Sequence, residues 1–389
     1  MDTTPLLWLI GTAGSGKTTT AWALFSQLAQ EGVLAAYVDA DQVGMAYPAP
    51  SGDPDNERVK ARGIGAVWAG FRAAGAQCLI VSGGVAAAET VADYAARTPG
   101  AALTLVELRV GAEERRERLI GRGGSEHLIE PAALHAARLE RDPLTDRRVD
   151  TGGRSVQEVV ALVRDRIGDW PGAPAGAWRP RGFDAPESAA DGGVPMVWVC
   201  GPAGVGKSTV SFAVFMRLLA SGAKASFIDL AQIGWCRPAA ADDPGDHRLR
   251  ARNLGALWRA HREAGAECLV VSGSGGGAAT ARGYLEAVPG CAPTVVRLDA
   301  PPEQLAERIR MRAEGIGVEL PGDELRGLTG DGLERRIGAA HAEAALLERE
   351  GVGDIAVDTG GRTPDDIADE IAALIGPRPG AAPGGPTAR

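Results

Sequence analysis

The chain has 389 residues, of which 45% are hydrophobic and 23% charged, with a formal net charge of -9. These values exclude a fibrous or globally disordered polymer and leave room for two domains with cores of their own. The acidic balance offers no general attraction to a nucleic-acid backbone, and 5% aromatic content leaves little for base stacking, so a nucleic-acid partner is not expected.

The first predicted element is a strand over residues 6–10, which runs directly into a glycine loop and has neither the basic leader nor the cleavage region of a signal peptide. No apolar run approaches the roughly 20 residues of a membrane span. A cytoplasmic protein without membrane contact is expected. The five cysteines (Cys78, Cys200, Cys236, Cys268 and Cys291) have no zinc-type spacing, and their odd number fits reduced thiols better than a disulfide framework.

After that strand, Gly11, Thr12, Ala13, Gly14, Ser15, Gly16, Lys17 and Thr18 spell G-x-x-x-x-G-K-[ST], and a helical pattern follows. Glycines at these places let backbone N–H groups curl around phosphate oxygens. The helix N-terminus adds its dipole, and Lys17 adds a point charge near the β- and γ-phosphates. The Thr18 hydroxyl suits Mg²⁺. The loop therefore predicts a nucleoside triphosphate, ATP with Mg²⁺.

The next strand, over residues 34–38, leads into Asp39-Ala40-Asp41. Strand alternation puts both carboxylates on one side of the C-terminal edge, where open α/β sheets bind ligands. There an aspartate can hold Mg²⁺ or accept the proton of an attacking hydroxyl, and a solvated turn or helix cap is the structural alternative. Arg58 and Arg62 follow at i,i+4 spacing, which puts two guanidinium groups on one helix face. A pair of this kind suits a carboxylate or phosphate, against the alternative of a salt-bridged surface helix.

A third strand over residues 78–81 ends in Ser82-Gly83 where motor and switch ATPases place an acid, which speaks against those enzymes. A fourth strand spans residues 103–108. Arg118 and Arg122 come one helical turn apart in a charged helix that reads equally as an ion-pair surface, and a short strand before Asp150 opens onto the Asp-Thr-Gly-Gly-Arg run.

All of this is then written a second time. An offset of 190 residues superposes Gly11 on Gly201, Lys17 on Lys207, Asp39 on Asp229, Arg58 and Arg62 on Arg248 and Arg252, and Arg118 and Arg122 on Arg308 and Arg312. The second loop reads Gly201, Pro202, Ala203, Gly204, Val205, Gly206, Lys207 and Ser208, with Ser208 in the place of Thr18. The offset grows to 208 at the Val-Asp-Thr-Gly-Gly-Arg run, so the second copy carries 18 further residues, expected on a surface loop in the glycine-rich stretch 315–332. Alternating strands and helices predict two α/β domains, each a parallel sheet of about five strands with helices on both faces. The boundaries expected are 1–169, a Pro/Gly/Ala-rich linker over 170–194, a second domain over 195–376 and a disordered tail over 377–389.

With these motifs in place, the chain resembles two P-loop kinases of the group containing adenylylsulfate kinase, shikimate kinase, gluconate kinase and chloramphenicol phosphotransferase. The resemblance implies that Asp39 and Asp41 serve metal and acceptor, and that Arg118, Arg122, Arg308 and Arg312 lie in or beside a lid that closes on the phosphates. It also implies that Arg58, Arg62, Arg248 and Arg252 border the acceptor site, and that the Asp-Thr-Gly-Gly-Arg loop contacts the nucleotide base. The metal positions implied are Thr18, Asp39, Ser208 and Asp229.

Copy two keeps Asp229 but has Ala231 in the place of Asp41, so the first copy is the expected catalytic one. The leading expectation is transfer of the γ-phosphoryl group of ATP to a small hydroxylated acceptor, anionic if the paired arginines face it, with the two halves able to pair within the chain. The rival is a nucleotide-operated switch with slow hydrolysis.

Overall fold

The computed structural model describes residues 3–85, 87–172, 193–317 and 322–375. The expected tail and most of the expected linker lie outside them. In the first copy the elements run β1 (Thr4–Gly11), α1 (Lys17–Gln30), β2 (Ala35–Asp39), β3 (Ala46–Tyr47), α2 (Glu57–Ala74), β4 (Cys78–Ser82) and α3 (Ala88–Arg97). They continue with β5 (Ala101–Arg109), α4 (Ala112–Gly121), α5 (Ile129–Arg141), β6 (Arg148–Asp150) and α6 (Val156–Ile167). The second copy follows with β7 (Val194–Cys200), α7 (Lys207–Ala220), β8 (Ala225–Asp229), β9 (Trp235–Arg237), α8 (His247–Glu263) and β10 (Cys268–Ser272). It ends with α9 (Ala278–Glu286), β11 (Cys291–Asp299), α10 (Pro302–Ala313), α11 (Gly330–Arg349), β12 (Ile355–Asp358) and α12 (Pro364–Ile375). No described helix is long and apolar enough to cross a membrane.

Each copy builds five parallel strands, ordered β6-β5-β1-β4-β2 in the first and β12-β11-β7-β10-β8 in the second. The central strands are continuous apolar runs because helices cover both faces, and β2, β4, β8 and β10 are buried at every residue. Trp8 and Trp198, in matching first strands, are fully enclosed and meet Tyr94 and Tyr284 edge to face. Cys78 and Cys268 are buried strand residues with free thiols.

The sixth strand of each sheet comes from the other copy. Strand β9 pairs antiparallel with β2, matching Ala35 to Arg237, Ala36 to Cys236 and Tyr37 to Trp235. Reciprocally, β3 pairs antiparallel with β8, matching Ala46 to Ser226 and Tyr47 to Ala225. The two registers are the same pairing read from either copy, so the exchange is pseudo-symmetric. It covers edges that would otherwise present unpaired N–H and C=O groups. Trp235 thereby enters the first copy's core, 4.9 Å from Trp22, while Met45 packs into the second copy's core. Helices α2 and α8 pack against each other behind this exchange, and one apolar cluster runs through both copies, joining Trp8 and Trp68 to Trp198 and Trp258.

The 18 additional residues of copy two divide between two places. Part forms the segment between α10 and α11, and part lengthens α11, which begins seven residues earlier than the register with α5 requires. Of the expected loop over 315–332, the described helix takes only residues 330–332, the start of α11, and residues 318–321 lie outside the described residues.

Candidate functional site

In the first copy the glycine loop joins β1 to α1 at the C-terminal edge of the sheet. Gly11 has φ of 140°, and a Cβ there would come within 2.3 Å of the Leu108 carbonyl oxygen. Gly16 is left-handed (φ 84°) immediately before α1 begins at Lys17. Lys17 folds back over the loop, and its Nζ donates to the Thr12 carbonyl at 2.6 Å. Burial lowers its pKa to about 8, against the opposing pull of Asp41 and Asp39.

Asp39, at the end of β2, is the hub of this site. Its Oδ2 accepts from Thr18 Oγ1 at 3.0 Å and from Ser82 Oγ at 2.7 Å, and its Oδ1 accepts from the Asp41 amide at 2.9 Å. Since Ser82 donates to the carboxylate, the Tyr37 hydroxyl 2.9 Å away donates to Ser82. Burial and then the charge of Asp41 push the Asp39 pKa up, and these hydrogen bonds oppose the rise. Ser82, the residue standing where motor and switch ATPases carry an acid, hydrogen-bonds instead to buried Asp39.

Asp41 points from the same edge into the cleft mouth. Its side chain stays exposed at the mouth; desolvation by the cleft walls favours its neutral form, but the charge and hydrogen bond of Lys60 and the charge of Lys17 outweigh this, so its pKa is lowered. Lys60 Nζ lies 2.9 Å from Asp41 and 3.5 Å from Glu57, and Tyr94 donates to Glu57 at 3.2 Å. Despite burial, the two carboxylates hold the Lys60 pKa above its ordinary value. Asp41, Lys60 and Glu57 form one wall of a cleft of about 600 Å³ that also exposes Lys17, Arg122, His135 and Arg138.

The donor set fits Mg²⁺. A hydroxyl and a carboxylate 3.0 Å apart beside a phosphate loop are hard oxygen ligands, and Mg²⁺ characteristically uses one or two carboxylates with phosphate and water for the rest. Ser208 and Asp229 repeat the pair at 2.7 Å.

The second copy keeps the glycine-loop side of the cleft and changes the wall that faces it. Lys207 donates to Pro202 at 2.8 Å, and the Ala231 amide donates to Asp229 Oδ1 at 2.9 Å. Burial lowers the Lys207 pKa and raises that of Asp229. Facing them, the counterparts of Asp41, Lys60 and Glu57 are Ala231, Arg250 and His247, and His247 Nδ1 lies 2.8 Å from the Tyr284 hydroxyl. The cleft is smaller, about 410 Å³.

The four arginines expected in a lid separate into two kinds. Arg122 and Arg312 line the clefts, and Arg312 Nε is held by Asp323 at 2.7 Å. Arg118 instead staples two loops: its guanidinium donates to the Gly14 carbonyl at 3.3 Å and to the Thr151 carbonyl and hydroxyl at 2.9 and 3.0 Å. Arg308 does the same between Val205 and Thr359. The Asp-Thr-Gly-Gly-Arg loops are thus tied to the phosphate loops.

Arg58, Arg62, Arg248 and Arg252 are not among the residues lining either cleft. Arg58 is exposed, Arg62 reaches Glu263 of the other copy at 3.2 Å, and Arg248 pairs with Asp242 at 2.7 Å. The reason is helical phase: Lys60 is two residues beyond Arg58, roughly 200° around α2, and it is the Lys60 face that the fold turns inward. Spacing identifies a shared face without saying which way it points. Lys60, Glu57 and His135 were the residues sequence reasoning missed, although the joint replacement of Asp41, Glu57 and Lys60 between copies carried the signal.

Residues 3–113 match the family model described as Adenylylsulphate kinase. No curated protein matches the sequence. Among solved structures, the tunicamycin resistance protein of Deinococcus radiodurans is 24% identical, covering 47% of this chain and 95% of that one with a TM-score of 0.34. A gluconokinase from Sinorhizobium meliloti is 22% identical over 43% of this chain and 91% of its own, with a TM-score of 0.29. The APS kinase of Mycobacterium tuberculosis, solved with AMPPNP and APS, is 22% identical over 47% of this chain and 98% of its own, with a TM-score of 0.30. The family match on the first copy supports a nucleotide-binding kinase in general, and the chain resembles the P-loop small-molecule kinases.

Proposed function

We propose that the chain is an ATP-dependent phosphotransferase whose first copy moves the γ-phosphoryl group to the hydroxyl of a small acceptor. The observation that carries this reading is the unbroken array Lys17, Thr18, Asp39, Asp41 and Lys60, which leads from the phosphate loop into an open cleft of about 600 Å³. Loop amides and Lys17 hold the phosphates, and Thr18 with Asp39 would hold Mg²⁺, which when bound neutralises charge on the β- and γ-oxygens. The acceptor hydroxyl oxygen attacks the γ-phosphorus, the bond to the ADP oxygen breaks, and the hydroxyl proton passes to Asp41.

Asp41 is ionised at neutral pH because Lys60 and Lys17 stabilise its charge. Its low basicity makes it foremost an orienting acceptor, consistent with a reaction that depends on positioning and charge neutralisation. Arg122 and Arg138 in the cleft offer cations to the transferring group and to an anionic substituent of the acceptor. The second copy, with Ala231 facing the phosphates, binds nucleotide and transfers slowly.

The test is a screen of small hydroxylated metabolites for acceptor-stimulated ADP release by the whole chain. A compound that raises the rate and becomes phosphorylated supports the kinase. ADP release at one slow rate whatever is added would favour the nucleotide switch instead.

A further inference from the structure

Two residues beside the second phosphate loop differ together from their counterparts. In the repeat register Ser274 stands where the first copy has Gly84, and Glu343 stands where it has His135. Gly84 and His135 are neighbours, since a Cβ on Gly84 would lie 3.3 Å from His135 Cε1, and His135 Nε2 donates to the Val85 carbonyl at 2.9 Å. In copy two this neutral pair becomes a hydroxyl and a carboxylate. Ser274 Oγ donates to Glu343 Oε1, and Glu343 Oε2 accepts from the Ala203 amide of the phosphate loop at 3.3 Å. These two hydrogen bonds place the carboxylate, and α11, which carries it, is anchored by buried Ala340 and Leu347. Glu343 also exceeds Asp229 as the negative charge acting on the buried Lys207.

Loop amides of this motif exist to hold phosphate oxygens, and its lysine reaches the β- and γ-phosphates. A carboxylate that takes a loop amide and lies close enough to act on Lys207 stands in for an oxygen of the terminal phosphate. A diphosphate leaves that carboxylate in place. A triphosphate must displace it from the amide and then accept a negative neighbour at short range.

We propose that Glu343 makes the second site selective for a nucleoside diphosphate over the triphosphate. The proposal rests on the reading of both loops as nucleotide sites and goes beyond it in giving the two copies different ligands: the triphosphate substrate for the first and the diphosphate product for the second.

The experiment uses the full chain carrying Lys17→Ala, so that binding at the first loop is weakened, and calorimetric titration with Mg²⁺ plus either ADP or a non-hydrolysable ATP analogue. ADP is expected to bind about tenfold more tightly, equivalent to about 1.4 kcal/mol. Glu343→Gln and Glu343→His, the latter restoring the first copy's residue, should bring the two affinities within about twofold by strengthening the triphosphate. Equal affinities in the parent, or a preference that survives both substitutions, overturns the proposal. Failure of parent and variants to bind either nucleotide would overturn the nucleotide reading of the second copy itself.

Discussion

The imidazole of His261 lies 2.9 Å from the carbonyl oxygen of Val43, a residue 218 positions away in the other copy. A carbonyl can only accept, so Nε2 carries the proton, and Nδ1 accepts from Ser226 Oγ at 2.7 Å. Val43 is two residues beyond Asp41, so a helix of the second copy fixes the floor of the first copy's site. Burial pushes the His261 pKa down to about 4, against the opposing bond to Val43. The unfolded chain titrates near 6.5 and binds the extra proton, so this group's stability contribution is complete above about pH 6.5 and is lost as pH falls towards 4. Between pH 7.5 and 5.0 it should remove about 2 kcal/mol, read from urea midpoints. His261→Gln, which cannot titrate, should be less stable at pH 7.5 and flatter across the range; an unchanged slope refutes the assignment.

The exchanged strands predict that the two copies do not part when the chain between them is cut. A protease site placed between residues 172 and 193, once cleaved, should leave two fragments that co-elute in size exclusion. Trp235 and Met45 remain embedded in the opposite cores, and each edge strand would otherwise be left unpaired. Fragments that elute separately would show that the exchange contributes little. Catalytic differences between copies are accordingly best read from point variants in the whole chain.

How much of this was legible in the sequence depends on how far each signal reaches along the chain. The phosphate loops, the five strands of each sheet and the repeat are local patterns of spacing and hydrophobicity, and they stand where the pattern put them. Strands β3 and β9 are two and three residues long, follow a single helical turn, and owe their state to a partner edge in the other copy. No local alternation marks them. Glu343 was hidden differently: its match to His135 emerges only after the 18-residue insertion is subtracted. Lys60 lay in plain view between two arginines, but which helix face turns inward is decided by packing against α8 and the sheet.

Gly70 tests that packing. A Cβ at this position would come within 1.8 Å of Asn253 Oδ1 on α8, while Asn253 Nδ2 is held by the Ile233 carbonyl at 2.6 Å. Helix propensity alone favours alanine by about 1 kcal/mol, but overpacking costs typically 1–3 kcal/mol. Gly70→Ala should therefore destabilise by up to about 2 kcal/mol in urea unfolding. Adding Asn253→Gly, the residue of the matching position in copy one, should recover part of that loss. A stabilised Gly70→Ala protein would mean that α2 and α8 are not held this closely.

Asp41→Ala should lower kcat for acceptor phosphorylation by about 100-fold, within the range for loss of a positioned proton acceptor. Nucleotide affinity should change little, because Asp39 keeps its bonds to Thr18 and Ser82. Asp39→Asn should do the converse first, weakening Mg²⁺-nucleotide binding, which equilibrium titration without acceptor reads directly. If Asp41→Ala left turnover intact, the acceptor hydroxyl must be oriented by another group in the cleft.

Lys60 separates orientation from charge. It bridges Asp41 and Glu57 from a largely buried position, so Lys60→Met leaves both carboxylates facing the phosphates without their cation. The site then becomes more negative where a polyanion must bind, and Asp41 loses the partner that fixes its carboxylate. A kcat decrease of about tenfold and a raised KM for Mg²⁺-ATP are expected, since one lost charge-assisted contact is worth about 1.4 kcal/mol or more. Lys60→Arg should retain most activity, because it keeps a cation between the two carboxylates. The decisive measurement is the double variant. If Lys60 acts by positioning Asp41, Asp41→Ala with Lys60→Met has the same kcat as Asp41→Ala alone, and the two effects do not add. Full additivity would instead make Lys60 an independent contact of the nucleotide or acceptor.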